Sequence, residues 1–365
     1  MSDIKGLLKT VIEKNASDLH LKADSPPFMR VQRELVRIND DKFSAEQLRK
    51  IAETLMTPAQ MDHFSRHSEI DFAYYEPGAG RFRTNIFMQR GTVSIVMRVV
   101  RTDIPTFESL NLPADKMEKV MSAKSGIIVI CGPMGCGKSS TMAAMVDYLN
   151  TNRSANITCV EDPIEYIHSD KKGIVRQREV GIDTDSYENA LRHIMRQDPD
   201  VIVIGEMRDA ESLMAAMTAA EIGHLVLTTL HTISASLAIS RVLDFFPLET
   251  RELVRRQFAD VLDAVICQRL VPAVSGGGVV PAVEIMKGTL TVRKLIYENR
   301  LEKLSAAIDL GSEFGMQSFN RSFLNLVQSG TVAKEVALSH SLNPESLKLN
   351  LQGIFLDDSN RILDS

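Results

Sequence analysis

One stretch of fourteen residues constrains this chain more than any other. IIVICGPMGCGKSS, residues 127–140, is an apolar run leading into G-x-x-x-x-G-K-S and then into TMAAMVDYL. A near-continuous apolar run reads as a strand buried on both faces, and TMAAMVDYL has helical character, so the glycines sit at a strand-to-helix turn. Glycine there lets backbone amides turn inward around phosphate oxygens, and the helix N-terminus adds about half a positive charge at the same place. Gly132, Pro133, Met134, Gly135, Cys136, Gly137, Lys138, Ser139 and Ser140 form the expected phosphate cradle. Lys138 is placed to reach β- and γ-phosphates and the Ser139 hydroxyl to ligate Mg²⁺. A chain with this element is expected to bind a nucleoside triphosphate with Mg²⁺.

Three further apolar runs, ITCVE (157–161), VIVIG (201–205) and LVLTTL (225–230), alternate with helical periodicity. That alternation predicts α/β architecture with a parallel sheet. Beyond SGGG (275–278) the pattern reads as helical to about residue 340, and the last twenty residues show no clear period. The first hundred residues differ. They contain a helical stretch at 4–15, short strand-like pieces, a helix near 44–56 capped by Ser44, and RFRTNIFMQ and TVSIVMRVV flanking Gly91 as an antiparallel hairpin. The expected division is an α+β domain at 1–100, a linker at 101–113 with a proline near each end, an α/β core at 114–288, and a helical C-terminal region at 289–365.

Glu206 ends the third apolar run, where ligands collect in an α/β sheet. A carboxylate there can deprotonate the attacking water or hold Mg²⁺ through a water; the plain alternative is a solvated residue starting the next helix. CVEDPIEY (159–166) brings Glu161, Asp162 and Glu165 after another strand, either around a cation or water or as an exposed acidic turn. His224 and His231 bracket LVLTTL, and a strand-end histidine can sense a γ-phosphate by hydrogen bonding. Arg81 and Arg83 share one strand face, with Arg98 across the hairpin: solubilising surface charge, or arginine fingers.

Lys+Arg 42 against Asp+Glu 47 leaves −5, which supplies no track for a polyanion and argues against a RecA-like nucleic-acid motor. No run reaches the roughly 18 uncharged apolar residues of a membrane span, and the N-terminus lacks a signal-peptide core, so a cytoplasmic protein is expected. Four cysteines without a CxxC pair read as reduced thiols. His63 and His67 have i,i+4 spacing, but Phe64 stands where a zinc protease needs Glu.

With SDLH (17–20), RFRTNIFMQRG (81–91), GPMGCGKSS (132–140), VEDPIEY (160–166), QREVG (177–181), RQDPDVIVIGEMRD (196–209) and TAAEIGHLVLTTLHT (218–232) in this order, the sequence resembles the type IV pilus retraction ATPases, the PilT/PilU branch of the secretion ATPases. The resemblance covers about residues 1–330. It implies a PAS-like N-terminal domain, a RecA-like ATPase domain and a homohexamer at the cytoplasmic face of the inner membrane. An inner-membrane pilus platform protein and a paralogous retraction ATPase are the implied partners. It also implies Glu206 as general base, Glu165 near metal and water, His231 in the His box, and Arg81, Arg83 and Arg98 reaching the nucleotide when the domains close over a hinge at 101–113. Departures lie at Met134 and Cys136, where a thiol is expected to be exposed near phosphate, and at TVRKLIYE (291–298) in place of AIRNLIRE. That change, with the tail NPESLKLNLQGI (343–354), favours the PilU type. A RecA-like nucleic-acid motor and an ATP-binding ring dependent on a partner ATPase are the alternatives to this reading, in which the chain binds ATP and Mg²⁺.

Overall fold

The computed structural model describes residues 4–31, 34–276 and 278–355, in two compact units: residues 1–102 with 165–167, and the rest. Gly277 of the SGGG run and residues 356–365 of the C-terminal region lie outside the described residues.

The first unit is an antiparallel sheet with helices. Its strands among the described residues are β1 (Asp18–Lys22), β2 (Phe28–Val31), β3 (Glu34–Arg37), β4 (Glu69–Glu76), β5 (Gly80–Gln89) and β6 (Thr92–Val99), in the order β3-β2-β1-β6-β5-β4. The hairpin expected around Gly91 is β5–β6: Gln89 faces Thr92, and Arg90 and Gly91 both take positive φ, the geometry a two-residue hairpin loop requires. The helix Ala45–Leu55 begins where Ser44 announces it. The Ser44 hydroxyl accepts from the Gln47 amide and the Gln47 side chain accepts from the Ser44 amide. Leu8, Leu19, Leu21, Phe82, Ile86, Ile95 and Met97 fill the core.

The second unit is built on a seven-stranded sheet: β7 (Gly126–Cys131), β8 (Asn156–Glu161), β9 (Ile174–Glu179), β10 (Val201–Ile204), β11 (Leu225–Leu230), β12 (Leu262–Pro272) and β13 (Val279–Lys287). The order is β13-β12-β7-β11-β10-β8-β9, parallel throughout except for β12–β13. Every residue of β7, β10 and β11 is buried, the condition their unbroken apolar sequences announce.

Helical structure was expected directly after residue 278, but VVPAVEIMK is β13. It pairs antiparallel with β12 from Ala264–Lys287 to Pro272–Val279, burying an apolar run too continuous for an amphipathic helix. The C-terminal helices begin at Leu290 and include Phe319–Gln328, Lys334–His340 and Pro344–Leu351, the last capped by Asn343 within the tail that showed no period. Residues 103–113 pack within the second unit, with Phe107 and Leu112 buried beside Met117, Val120 and Leu149. Among the described residues, no helix is long and apolar enough to cross a membrane.

Candidate active site

Parallel strands end together, and β7, β8, β10 and β11 bring their C-terminal ends to one edge of the sheet. β7 runs into the glycine loop. Gly132 (φ 152°), Gly135 (φ 73°) and Gly137 (φ 92°) all lie at positive φ. At Gly132 a Cβ would meet Cys136 Sγ and come within 2.6 Å of the Gln268 carbonyl oxygen, so only glycine fits there. The helix Lys138–Asn152 starts at Gly137, which has no side-chain oxygen to cap it, so the helix N-terminus presents backbone amides.

Lys138 Nζ donates to the carbonyl oxygens of Gly132 (2.9 Å) and Pro133 (3.2 Å) and lies 3.3 Å from Nδ1 of His231. The other ring nitrogen, Nε2, is 3.1 Å from Glu206 Oε1. An ammonium can only donate, so Nδ1 accepts, and a neutral imidazole carrying its proton on Nε2 satisfies both contacts. Glu206 Oε2 accepts from Arg208 at 2.8 Å, and Arg208 Nη1 reaches Asp162 Oδ2 at 3.0 Å. The Glu206 bond, with Asp162 in support, holds the Arg208 guanidinium above its usual range. A polar chain thus runs Lys138–His231–Glu206–Arg208–Asp162 across four strand ends.

Close packing delivers Glu206 to this chain. Gly205 donates to the Val160 carbonyl at 2.8 Å and its carbonyl accepts from the Thr229 hydroxyl at 2.7 Å. A Cβ on Gly205 would come within 3.0 Å of the Tyr187 hydroxyl, whose pKa burial and the nearby Asp162 raise.

Of the residues expected from sequence, the structure brings together the cradle 132–140, Glu206 and His231. Glu165 belongs to the first unit, where its carbonyl accepts from the Arg101 amide at 3.1 Å. Arg81, Arg83 and Arg98 also belong to that unit. Arg83 and Arg98 face one another across β5–β6; Arg83 is 3.7 Å from Asp71, and Arg98 Nε donates to buried Asp18 at 2.7 Å. Burial pulls the Asp18 pKa upward, but Ser17 and Arg98 outweigh it and hold it below the usual range.

One expectation is corrected. The Cys136 thiol is not exposed: the residue is 3% exposed, and burial pushes its pKa up despite the nearby Lys138. Its side chain turns inward under Gly132 instead of outward to the phosphate face. Two contributors had not been singled out from sequence. Arg208 carried no signal beyond standing two residues after Glu206. Gln268 on β12 is buried, donating to the Cys136 carbonyl at 2.6 Å and accepting from Thr141 at 2.8 Å, so it braces the loop from below.

A family model described as "Type II/IV secretion system protein" matches residues 1–278. The type IV pilus retraction ATPase PilT of Pseudomonas aeruginosa is 41% identical over 344 residues, 94% of this chain and 99% of that protein. The chain belongs to this family of secretion ATPases. The type IV pilus ATPase PilU of the same organism is 38% identical over 350 residues, 96% of this chain and 91% of that protein. A crystal structure of the pilus retraction motor PilT with bound ADP superposes with a TM-score of 0.88 at 38% identity, covering 95% of this chain and 99% of that one. The two-unit α/β architecture is therefore the family's own, and the chain is an ATPase.

Proposed function

We propose that this chain is a homohexameric motor that hydrolyses Mg²⁺-ATP at the cytoplasmic face of the inner membrane to drive retraction of a type IV pilus. The contact chain Lys138–His231–Glu206 at the strand ends carries the mechanistic part of this reading, because it puts a phosphate ligand, a phosphate sensor and a base within one hydrogen-bonded line. Lys138 exchanges its two carbonyl partners for phosphate oxygens, and the amides of the loop cradle the rest. Glu206 orients and deprotonates the attacking water while His231, accepting at Nδ1 and donating at Nε2, reports on the γ-phosphate position.

The donor set suits Mg²⁺, which binds through one or two protein oxygens plus substrate phosphates and not in a cage of protein ligands. Among the described residues no group of three or more His, Cys, Asp or Glu could hold a metal, while the Ser139 hydroxyl in the first helical turn is the oxygen such a site needs. Ser139 would hold the ion, which would supply charge neutralisation at the phosphates.

Identities of 41% and 38% to the two pilus ATPases do not separate them, so the subtype rests on the C-terminal helix. In TVRKLIYE three of the four residues kept from the retraction motif, Arg293, Leu295 and Ile296, hold the helix down. Leu295 and Ile296 are buried, and Arg293 donates to the carbonyls of Gly288, Asp260 and Leu262. Of the four replaced positions Thr291, Lys294 and Tyr297 are exposed, while Val292, in place of isoleucine, is buried. The buried exchange keeps an aliphatic side chain and so preserves the fold, while the exposed changes alter what the outward face meets, which favours the PilU-type, accessory role and a paralogous ATPase as partner.

The test is steady-state Mg²⁺-ATP hydrolysis of the protein beside Glu206→Gln, without nucleic acid. A measurable rate that falls by about 10²–10³ in the variant, with ATP still bound, is expected for loss of a positioned base. Equal rates in both would refute the role of Glu206. In cells, deletion should impair retraction and leave fibre assembly intact; loss of surface pili would refute the retraction assignment.

A further inference from the structure

His231 can link Lys138 to Glu206 only if its own loop, residues 231–234, is held still. That loop has no strand or helix of its own. It is gripped from the side by two charged residues of the β12–β13 hairpin. Arg269, on β12, donates through Nη2 to the Ile233 carbonyl at 3.2 Å. Glu284, on β13 and 8% exposed, accepts the Ala235 amide at 2.9 Å through Oε1, at the first turn of the helix Ala235–Asp244. One bond therefore falls on each side of Ser234, the helix cap, and together they fix both the end of the loop and the entry to the helix.

The same two side chains also hold the C-terminal helices. Arg269 Nη1 donates to the His340 carbonyl at 3.1 Å, and its guanidinium lies 4.9 Å from the centre of the Phe319 ring. The Phe319 backbone, at the start of the helix Phe319–Gln328, lies close enough to Glu284 to favour its charged form. A carboxylate costs free energy to bury, so its presence within the sheet calls for a compensating role. The ionisable groups facing it are Arg269, Asp309 of the helix Leu304–Leu310, and Cys267 opposite it on β12.

We propose that Arg269 and Glu284 are positioning residues for ATP hydrolysis: they set the loop 231–234 so that His231 stands between Lys138 and Glu206, and they bind that loop to the helices Phe319–Gln328 and Lys334–His340. Displacement of those helices is thereby transmitted to the phosphate site through two side chains. The inference rests on the reading of His231 as part of that site.

A double-mutant cycle tests it. kcat for Mg²⁺-ATP and the Kd of a fluorescent ATP analogue are measured for wild type, His231→Ala, Glu284→Ala and the double variant, with Glu284→Gln and Arg269→Lys alongside. Glu284→Ala is expected to lower kcat about tenfold, the loss of one well-placed hydrogen bond to a charged group, with Kd within about twofold of wild type. Glu284→Gln, which keeps an acceptor, should recover most of the rate. In the His231→Ala background the Glu284 substitution should cost less than about twofold, because residues acting through one another are not additive. Should Glu284→Ala not fold, Arg269→Lys carries the same cycle with a smaller loss, about threefold, again vanishing beside His231→Ala. Full additivity, or a parallel fall of kcat and affinity in every variant including Glu284→Gln, overturns the proposal. An absence of ATP turnover in the wild type overturns the reading of the site itself; turnover that His231→Ala leaves untouched removes the role of His231 and, with it, this pair's route of action.

Discussion

Glu284→Gln should make the protein more stable at and above neutral pH, and the gain can be worked from its surroundings. Burial raises the Glu284 pKa from the ordinary 4.5 to about 7, with Asp309 adding to the rise and the Ala235 and Phe319 amides and Arg269 opposing it. A folded-state value above the unfolded one means that the native protein binds this proton more tightly. The stabilising contribution is then fully present below about pH 4.5 and lost as pH rises through about 7. At about 1.4 kcal/mol for each pH unit of that displacement, the loss between pH 4 and pH 8 is about 3 kcal/mol. Glutamine is neutral throughout, keeps a carbonyl oxygen for the Ala235 amide, and does not suffer this loss. The assay is urea unfolding at pH 5, 6, 7 and 8, monitored by circular dichroism since the chain has no tryptophan. Taking the difference between variant and wild type at each pH removes every other titrating group. The variant's advantage should grow between pH 5 and pH 8 by about 2.5 kcal/mol. Parallel stability curves would refute the reasoning, since they would mean that Glu284 titrates alike in both states and that its burial costs nothing.

The glycine loop yields two further expected outcomes. Gly132→Ala places a Cβ against Cys136 Sγ and the Gln268 carbonyl at a backbone angle only glycine adopts freely, so ATP affinity should fall more than about tenfold while the sheet stays folded. Isothermal titration with Mg²⁺-ATP measures it, and wild-type affinity would contradict the close packing of the cradle. All four cysteines are buried, so a thiol reagent such as DTNB should label fewer than one equivalent in the native protein and about four after unfolding. Rapid labelling of Cys136 without denaturant would show that its thiol faces the phosphate side after all.

The phosphate site divides into a part that its own sequence announces and a part that only the tertiary structure assembles. The cradle was legible because all its determinants are local: glycines where backbone must turn, a lysine and a serine opening the helix, and a buried strand before them. Glu206 and His231 were legible because a strand run ends on each of them, and parallel strands end side by side. Gln268 was not, because it braces Thr141 across 127 residues of sequence, and nothing in LDAVICQRLVP marks one glutamine as the support of a distant loop. Arg208 was invisible for a different reason: an arginine beside an aspartate at a helix start reads as surface charge until Asp162 from another strand is found against it. Cys136 was misread because its position in the loop suggested the phosphate side, whereas the αL turns on either side rotate it into the core.

The same division separates what this chain must keep from what it can change. Residues whose partners are backbone carbonyls and amides of other elements, such as Arg293, Gln268, Arg269 and Glu284, define where the strand ends and helices sit. Truncating Gln268 or Glu284 to alanine leaves a buried backbone group without its partner, costing about 1–3 kcal/mol. Thr291, Lys294 and Tyr297 carry no such burden, because their side chains lie on the exposed face of a helix already secured by Leu295, Ile296 and Arg293. A relative that shares about two fifths of its residues can therefore keep one ATPase site and present a different outer face. A division of labour between two paralogous motors requires that combination: common chemistry set by long-range backbone contacts, and partner choice set by side chains that the fold does not need.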